Sequence, residues 1–179
     1  MKSKFIAISA ISAGLITLCL TLGAYFQFAS IIALVLTSIF VFLPLYYNSY
    51  KGAFLCYGAG GLLAFMFSGF NYLSIVFPTY FAFFGLFPIV FLRCQEKAYN
   101  KYLTAIFGVI WCLLLFYGGY YFYTLVLGGE IIFKHEFISQ FINVFLALVS
   151  VAFYFFYTAY LKTFKRVIDG YIERIIKKW

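Results

Sequence analysis

The chain has 179 residues, of which 66% are hydrophobic, 25% are aromatic and only 10% are charged, and its net charge is +8. A typical soluble domain carries about 25% charged residues. Thirteen basic and five acidic side chains are too few to cover a water-facing domain of this size. The composition therefore excludes a soluble globular protein and predicts a chain surrounded by lipid.

Six apolar stretches have about the length of roughly 20 residues that crosses the hydrocarbon of a bilayer. They cover about 5–26, 28–47, 52–69, 72–92, 102–127 and 138–161. Each is continuously apolar, whereas strands of a membrane barrel alternate apolar and polar residues over about ten positions. We therefore predict an all-α transmembrane domain of six helices over 1–161, with kinks at Pro78 and Pro88 in the fourth span.

The basic residues predict the orientation of these spans, because Lys and Arg are enriched in short cytoplasmic connections. With the N-terminus inside, only Lys134 lies outside, and the other twelve of the thirteen basic residues are cytoplasmic. We expect a multi-pass protein of the plasma membrane with both termini in the cytoplasm. The positive charge then reflects this topology and attraction to anionic lipid, and nucleic acid is not expected as a partner.

Side chains for catalysis or metal binding are scarce. The chain has one His and five acids, and its four cysteines show no CxxC or Cys/His spacing. Acid–base and nucleophilic chemistry needs titratable groups that converge on one site. We therefore expect neither an enzyme, nor a metal site, nor a cofactor.

Small residues share one face of the first span. Ser9 lies over Ala13, and Ala10 lies over Gly14, four residues apart on a helix. Pairs of this kind let a second helix approach closely, which is a main source of helix association in lipid. The face either packs within the chain or docks a separate membrane subunit.

The outer half of the fifth span is a run of aromatic residues around two glycines, at positions 116–123. The glycines leave room beside the rings, as a slot for a flat ligand would require. A belt of aromatic residues at the membrane boundary is the alternative. The candidate ligand residues here and in the facing fourth span are Tyr117, Tyr120, Tyr121, Thr79 and Tyr80.

The connection between the fifth and sixth spans, residues 128–136, gathers most of the charge predicted to be extracellular. It is either a solvated turn or a lid whose polar groups orient a ligand. The candidate ligand residues of this outer region are Glu130, His135, Asn71, Gln140 and Asn143.

The C-terminal segment, 162–179, is a predicted amphipathic helix. Its apolar residues recur at intervals of three and four, and its basic residues lie off that face. This pattern is typical of a helix that lies on the cytoplasmic leaflet. Contact with a cytoplasmic partner is the alternative.

The order of these elements resembles the substrate-binding S component of energy-coupling-factor (ECF) vitamin importers. Those are six-span proteins of about this length, with cytoplasmic ends and a small-residue motif on the first helix, matched here by Ala10 with Gly14 or Ser9 with Ala13. The segments 43–45, 51–53 and 83–88 are also similar to small S-component-like proteins of Gram-positive bacteria. The resemblance implies that the first helix docks on a transmembrane coupling subunit, and that two cytoplasmic ATPases power uptake of a small planar metabolite.

A membrane adaptor or assembly subunit that binds no metabolite is the second hypothesis. An importer subunit needs an outer pocket between the fourth, fifth and sixth spans, whereas an adaptor fills that volume with Phe and Tyr. The composition permits both.

Overall fold

The computed structural model describes residues 2–47, 49–70, 74–97, 99–126 and 136–176. Over these residues the chain is 92% helical and contains no strand. The predicted all-α class is therefore confirmed. The helices are α1 (Lys2–Tyr25), α2 (Ser30–Tyr46), α3 (Tyr50–Phe67), α4 (Val76–Thr79), α5 (Leu86–Glu96), α6 (Lys101–Val126) and α7 (Glu136–Ile176), with a 3₁₀ turn at Gln27–Ala29 and a π-helical segment at Tyr80–Phe84.

Four of these segments are long and apolar enough to cross a membrane: Phe5–Tyr25, Val76–Glu96, Lys101–Phe122 and Phe141–Ile168. The other two predicted spans correspond to α2, an apolar helix of 17 residues, and to α3, with 18 residues. Large apolar side chains cover the surface, including Phe28, Tyr102 and Phe156, which are 84%, 80% and 79% exposed. Such a surface is compatible with a lipid environment.

The chain divides into two compact units, residues 1–98 and 99–179. In the first unit, α1 packs against both α2 and α3, and the segment from α4 to α5 packs mainly against α2. Glycine permits this close packing. A Cβ on Gly60 of α3 would lie 2.7 Å from Cγ2 of Ile16, and a Cβ on Gly23 of α1 would lie 2.8 Å from Cβ of Ala33.

The fourth predicted span contains a π-helical segment between its two prolines. The N–H of Gly85 donates to the carbonyl of Tyr80 at 2.9 Å, five residues earlier. Pro88 has no N–H for the carbonyl of Phe84, which an unbroken helix would bond. The hydroxyl of Ser38 on α2 donates to that carbonyl instead, at 3.0 Å. A neighbouring helix thus satisfies the backbone group that proline leaves, as an apolar environment requires.

In the second unit, α6 packs against α7. The ring of Tyr154 lies against Gly108, where an added Cβ would collide with it. Phe116 and Phe153 make an edge-to-face contact with ring centroids 5.4 Å apart.

The predicted sixth span and the predicted amphipathic segment belong to one helix. α7 runs through 41 residues without interruption, from Glu136 to Ile176. At about 1.5 Å per residue it is roughly 60 Å long, which is about twice the hydrocarbon thickness of a bilayer.

Candidate functional site

An open groove with a volume of about 330 Å³ runs between α1 and α3. Most of its wall consists of small residues, and we call it the small-residue groove. Among the described residues of its lining, Lys51 is the one that is charged. The groove is lined by Phe5, Ile6, Ser9, Ala10 and Ala13 of α1, and by Ser49, Lys51, Gly52, Leu55, Cys56 and Ala59 of α3 and the residue before it.

The four predicted docking residues divide between the inside of the first unit and its surface. Ser9 is buried and donates to the carbonyl of Phe5 at 2.9 Å. A Cβ on Gly52 would collide with the Ser9 hydroxyl, so Ser9 helps to set the approach of α3 to α1. Ala10 and Gly14 are exposed and Ala13 is half-buried. A Cβ on Gly14 would meet no atom within 4 Å. Part of the predicted face is therefore used inside the chain, and part lies open beside the groove.

Thr79 and Tyr80, two predicted ligand residues, lie in the first unit. The Thr79 hydroxyl donates to the carbonyl of Ile75 at 2.6 Å. Tyr80 is fully buried, and its hydroxyl donates to the carbonyl of Tyr57 at 3.1 Å. The Tyr57 hydroxyl donates in turn to the carbonyl of Phe81 at 2.8 Å. These contacts tie α3 to the π-helical segment.

The remaining described candidates lie in the second unit and form two pairs. The Tyr117 hydroxyl donates to the backbone carbonyl of Asn143 at 2.9 Å, which joins α6 to α7. The rings of Tyr120 and Tyr121 meet edge to face, with centroids 5.7 Å apart. Added Cβ atoms on Gly118 and Gly119 would meet nothing within 4 Å, and Gly118 is exposed on the surface of α6.

Three predicted ligand residues, Asn71, Glu130 and His135, lie outside the described residues. Gln140 belongs to α7, and its side chain also lies outside the described part of the structure. Within the described ranges there is no cluster of three His, Cys, Asp or Glu side chains of the kind that holds a metal ion.

The structure also forms a polar cleft that the sequence did not predict, where the start of α3 meets the end of α5. The Tyr50 hydroxyl donates to the carboxylate of Glu96 at 2.5 Å, and the Arg93 guanidinium lies 5.8 Å from the centroid of the Tyr50 ring. Lys51 and Arg93 follow the second and fourth predicted spans, and the distribution of basic residues assigns both connections to the cytoplasmic side. This shared side is the signal in the sequence that could indicate their meeting.

No family model, curated protein or solved structure matches this chain. The fold itself defines a class: an all-α protein with an apolar surface and four helices long enough to cross a bilayer. Its function therefore has to follow from its own residues.

Proposed function

We propose that the chain crosses the plasma membrane six times. The four long apolar segments support four of these spans. The apolar helices α2 and α3 are the other two, because they are only slightly shorter than a typical span. The distribution of basic residues supports cytoplasmic termini.

We infer that the chain is a non-catalytic subunit that docks a transmembrane helix of a separate protein on the exposed side of the small-residue groove. The observation that carries this inference is the open surface at Ala10 and Gly14. A helix with small residues on one face can bring its backbone close to another helix, and in lipid this close contact provides much of the association energy. The partner we propose is a transmembrane coupling subunit.

The resemblance to S components makes this assembly an importer, with the present chain as its substrate-binding subunit and separate ATPases as the energy source. The space beside Gly118 and Gly119 supports a flat ligand held by the adjacent tyrosines. The hydrogen bond from the Tyr117 hydroxyl to the carbonyl of Asn143 holds the Tyr117 ring in one position, as a residue that binds such a ligand would require.

The docking proposal predicts that the double variant Ala10→Leu/Gly14→Leu loses its partner. Leucine at these exposed positions keeps the helix apolar but fills the surface where the second backbone would lie. We expect the tagged variant to insert normally and to lose the coupling subunit and ATPases that co-purify with the unaltered protein in mild detergent. Quantitative mass spectrometry of the purified material measures this loss.

Gly118→Leu is the matched control, because Gly118 also lies on a helix with open space at its Cβ but belongs to the second unit. This variant should retain the same partner proteins. Equal recovery of partners with the double variant and the unaltered chain would rule out docking at α1.

A membrane adaptor without a metabolite is the second candidate, and the burial of aromatic residues of the fourth span inside the first unit supports it. Tyr80, Phe83 and Phe87 are buried there, and the Phe83 and Phe87 rings stack with centroids 4.7 Å apart. Small-molecule mass spectrometry of the purified protein distinguishes the candidates. A planar metabolite that is retained by the unaltered chain and lost in Tyr121→Ala supports the importer, whereas a partner complex without any metabolite supports the adaptor.

A further inference from the structure

The polar cleft at one end of the first unit has a volume of about 750 Å³. It lies between the first turns of α3 and the last turns of α5, which are about 40 residues apart in the sequence. The cleft is lined by Tyr50, Lys51, Phe54, Leu55, Arg93, Glu96 and Lys97.

The charge of the cleft favours an anion. Its lining carries three cations, Lys51, Arg93 and Lys97, and one carboxylate, Glu96, so two positive charges are in excess. The carboxylate accepts the hydrogen bond from Tyr50. The three cationic residues are exposed and able to reach a ligand from the surface.

Arg93 is partly oriented before any ligand arrives. Its guanidinium lies 5.8 Å from the centroid of the Tyr50 ring, within the range of a cation–π contact. A guanidinium presents its N–H donors in a planar fork that matches two oxygens of a phosphate. The same end of the cleft is formed by the N-terminus of α3, an 18-residue helix whose dipole adds to the positive potential.

The other side of the cleft is apolar. Phe54 and Leu55 line it and are 44% and 68% exposed. A small soluble anion would gain nothing from these side chains, whereas an acyl chain would cover them. Cationic and apolar sides in one cleft are complementary to a phospholipid.

We propose that this cleft binds an anionic phospholipid, with its phosphate held by Arg93, Lys51 and Lys97 and the start of an acyl chain lying along Phe54 and Leu55. Basic pockets between helices at a membrane surface commonly bind such headgroups. Lys51 and Leu55 line both the cleft and the small-residue groove, whereas Arg93 and Glu96 line the cleft alone. Variants of Arg93 and Glu96 therefore test lipid binding separately from docking at Ala10 and Gly14, and either proposal can fail without the other.

The test is native mass spectrometry of the full chain released from nanodiscs of equal phosphatidylglycerol and phosphatidylcholine. We expect the released chain to retain phosphatidylglycerol in preference to phosphatidylcholine. Arg93→Gln should reduce this preference about fivefold, because it removes the charge-assisted hydrogen bonds that hold the phosphate in the cleft. Glu96→Gln should increase it, because it removes the only negative charge among the described residues of the lining.

Lys101→Gln is the matched control, because it removes one exposed positive charge that is not part of the cleft. It should leave the preference unchanged. An equal effect of Lys101→Gln and Arg93→Gln, or no gain with Glu96→Gln, would overturn the site. Competition by inorganic phosphate or glycerol phosphate at the affinity of the lipid would also overturn the proposal, because it would indicate a site for a soluble anion.

Discussion

The hydroxyl of Ser38 bonds a carbonyl of a neighbouring helix, whereas several other hydroxyl groups in the described helices bond only carbonyls of their own helix. Thr21, Thr79 and Ser150 donate to the carbonyl four residues earlier in their own helix. Ser38 also lies within 3.3 Å of the carbonyl of Leu34, four residues earlier in α2, but at 3.0 Å it donates to the carbonyl of Phe84, for which Pro88 offers no N–H. Its bond therefore replaces a missing backbone bond, where the others add to existing ones.

Ser38→Ala should destabilise the protein by about 1 kcal/mol, in the range measured for hydrogen bonds between membrane helices. Unfolding of the purified protein in mixed micelles measures this change. Ser150→Ala is the control, because Ser150 is also fully buried but bonds a carbonyl within an uninterrupted helix. Equal losses in the two variants would show that the carbonyl of Phe84 has another adequate donor.

At this scale the sequence predicts that a backbone carbonyl near each proline needs a partner, because the missing N–H follows from the residue type. It does not predict which side chain supplies the bond. Ser38 and Phe84 are 46 residues apart, and only the packing of α2 on the fourth span brings them together. The burial of Tyr80 likewise depends on contacts with α3 that its own segment does not reveal.

Helix α7 continues through the position where the sequence changes from apolar to polar residues. Polar residues begin after Leu161, and the sequence therefore predicts a separate segment from Lys162 onward. The structure has one helix through this position. Backbone hydrogen bonds between residues four apart do not require apolar side chains, so a change of solvent need not end a helix. Within the C-terminal part of α7, Gly170 is the residue with the lowest helix propensity.

Gly170→Ala should strengthen this part of α7 by about 1 kcal/mol, because alanine restricts the unfolded chain and a Cβ at this position meets no atom within 4 Å. Hydrogen exchange of the amides in 164–174 should slow by about fivefold in detergent micelles. Exchange in 144–154 of the same helix serves as the internal reference and should not change. Unchanged exchange in both segments would show that Gly170 does not limit the helix.

For the whole molecule, composition alone predicts the class, because an apolar surface is stable only in an apolar solvent. The α1 side of the small-residue groove is also partly predictable, since spacing on one helix places Ser9 beside Ala13. The polar cleft is not, because it needs Tyr50 and Arg93 to meet through tertiary packing. Local patterns thus indicate which faces exist, whereas sites shared by distant segments depend on how those faces pack.

The proposed topology predicts that both ends of the chain are labelled from the same side. In a chain whose four cysteines are replaced by alanine, a membrane-impermeant maleimide should label Lys2→Cys and Lys178→Cys only after the cells are permeabilised. Lys134→Cys is the control and should react in intact cells. Labelling of the two ends from opposite sides would exclude an even number of spans.

The π-helical turn at Tyr80–Phe84 has a further consequence for how the chain tolerates changes in its length. Such a turn contains one residue more than an α-helical turn, so shortening the chain there by one residue restores ordinary geometry. Removal of Ala82 should yield a monodisperse protein on size-exclusion chromatography. Removal of Leu18, an exposed residue of the continuous helix α1, should not, because every later side chain of that helix would turn by about 100° away from its neighbours.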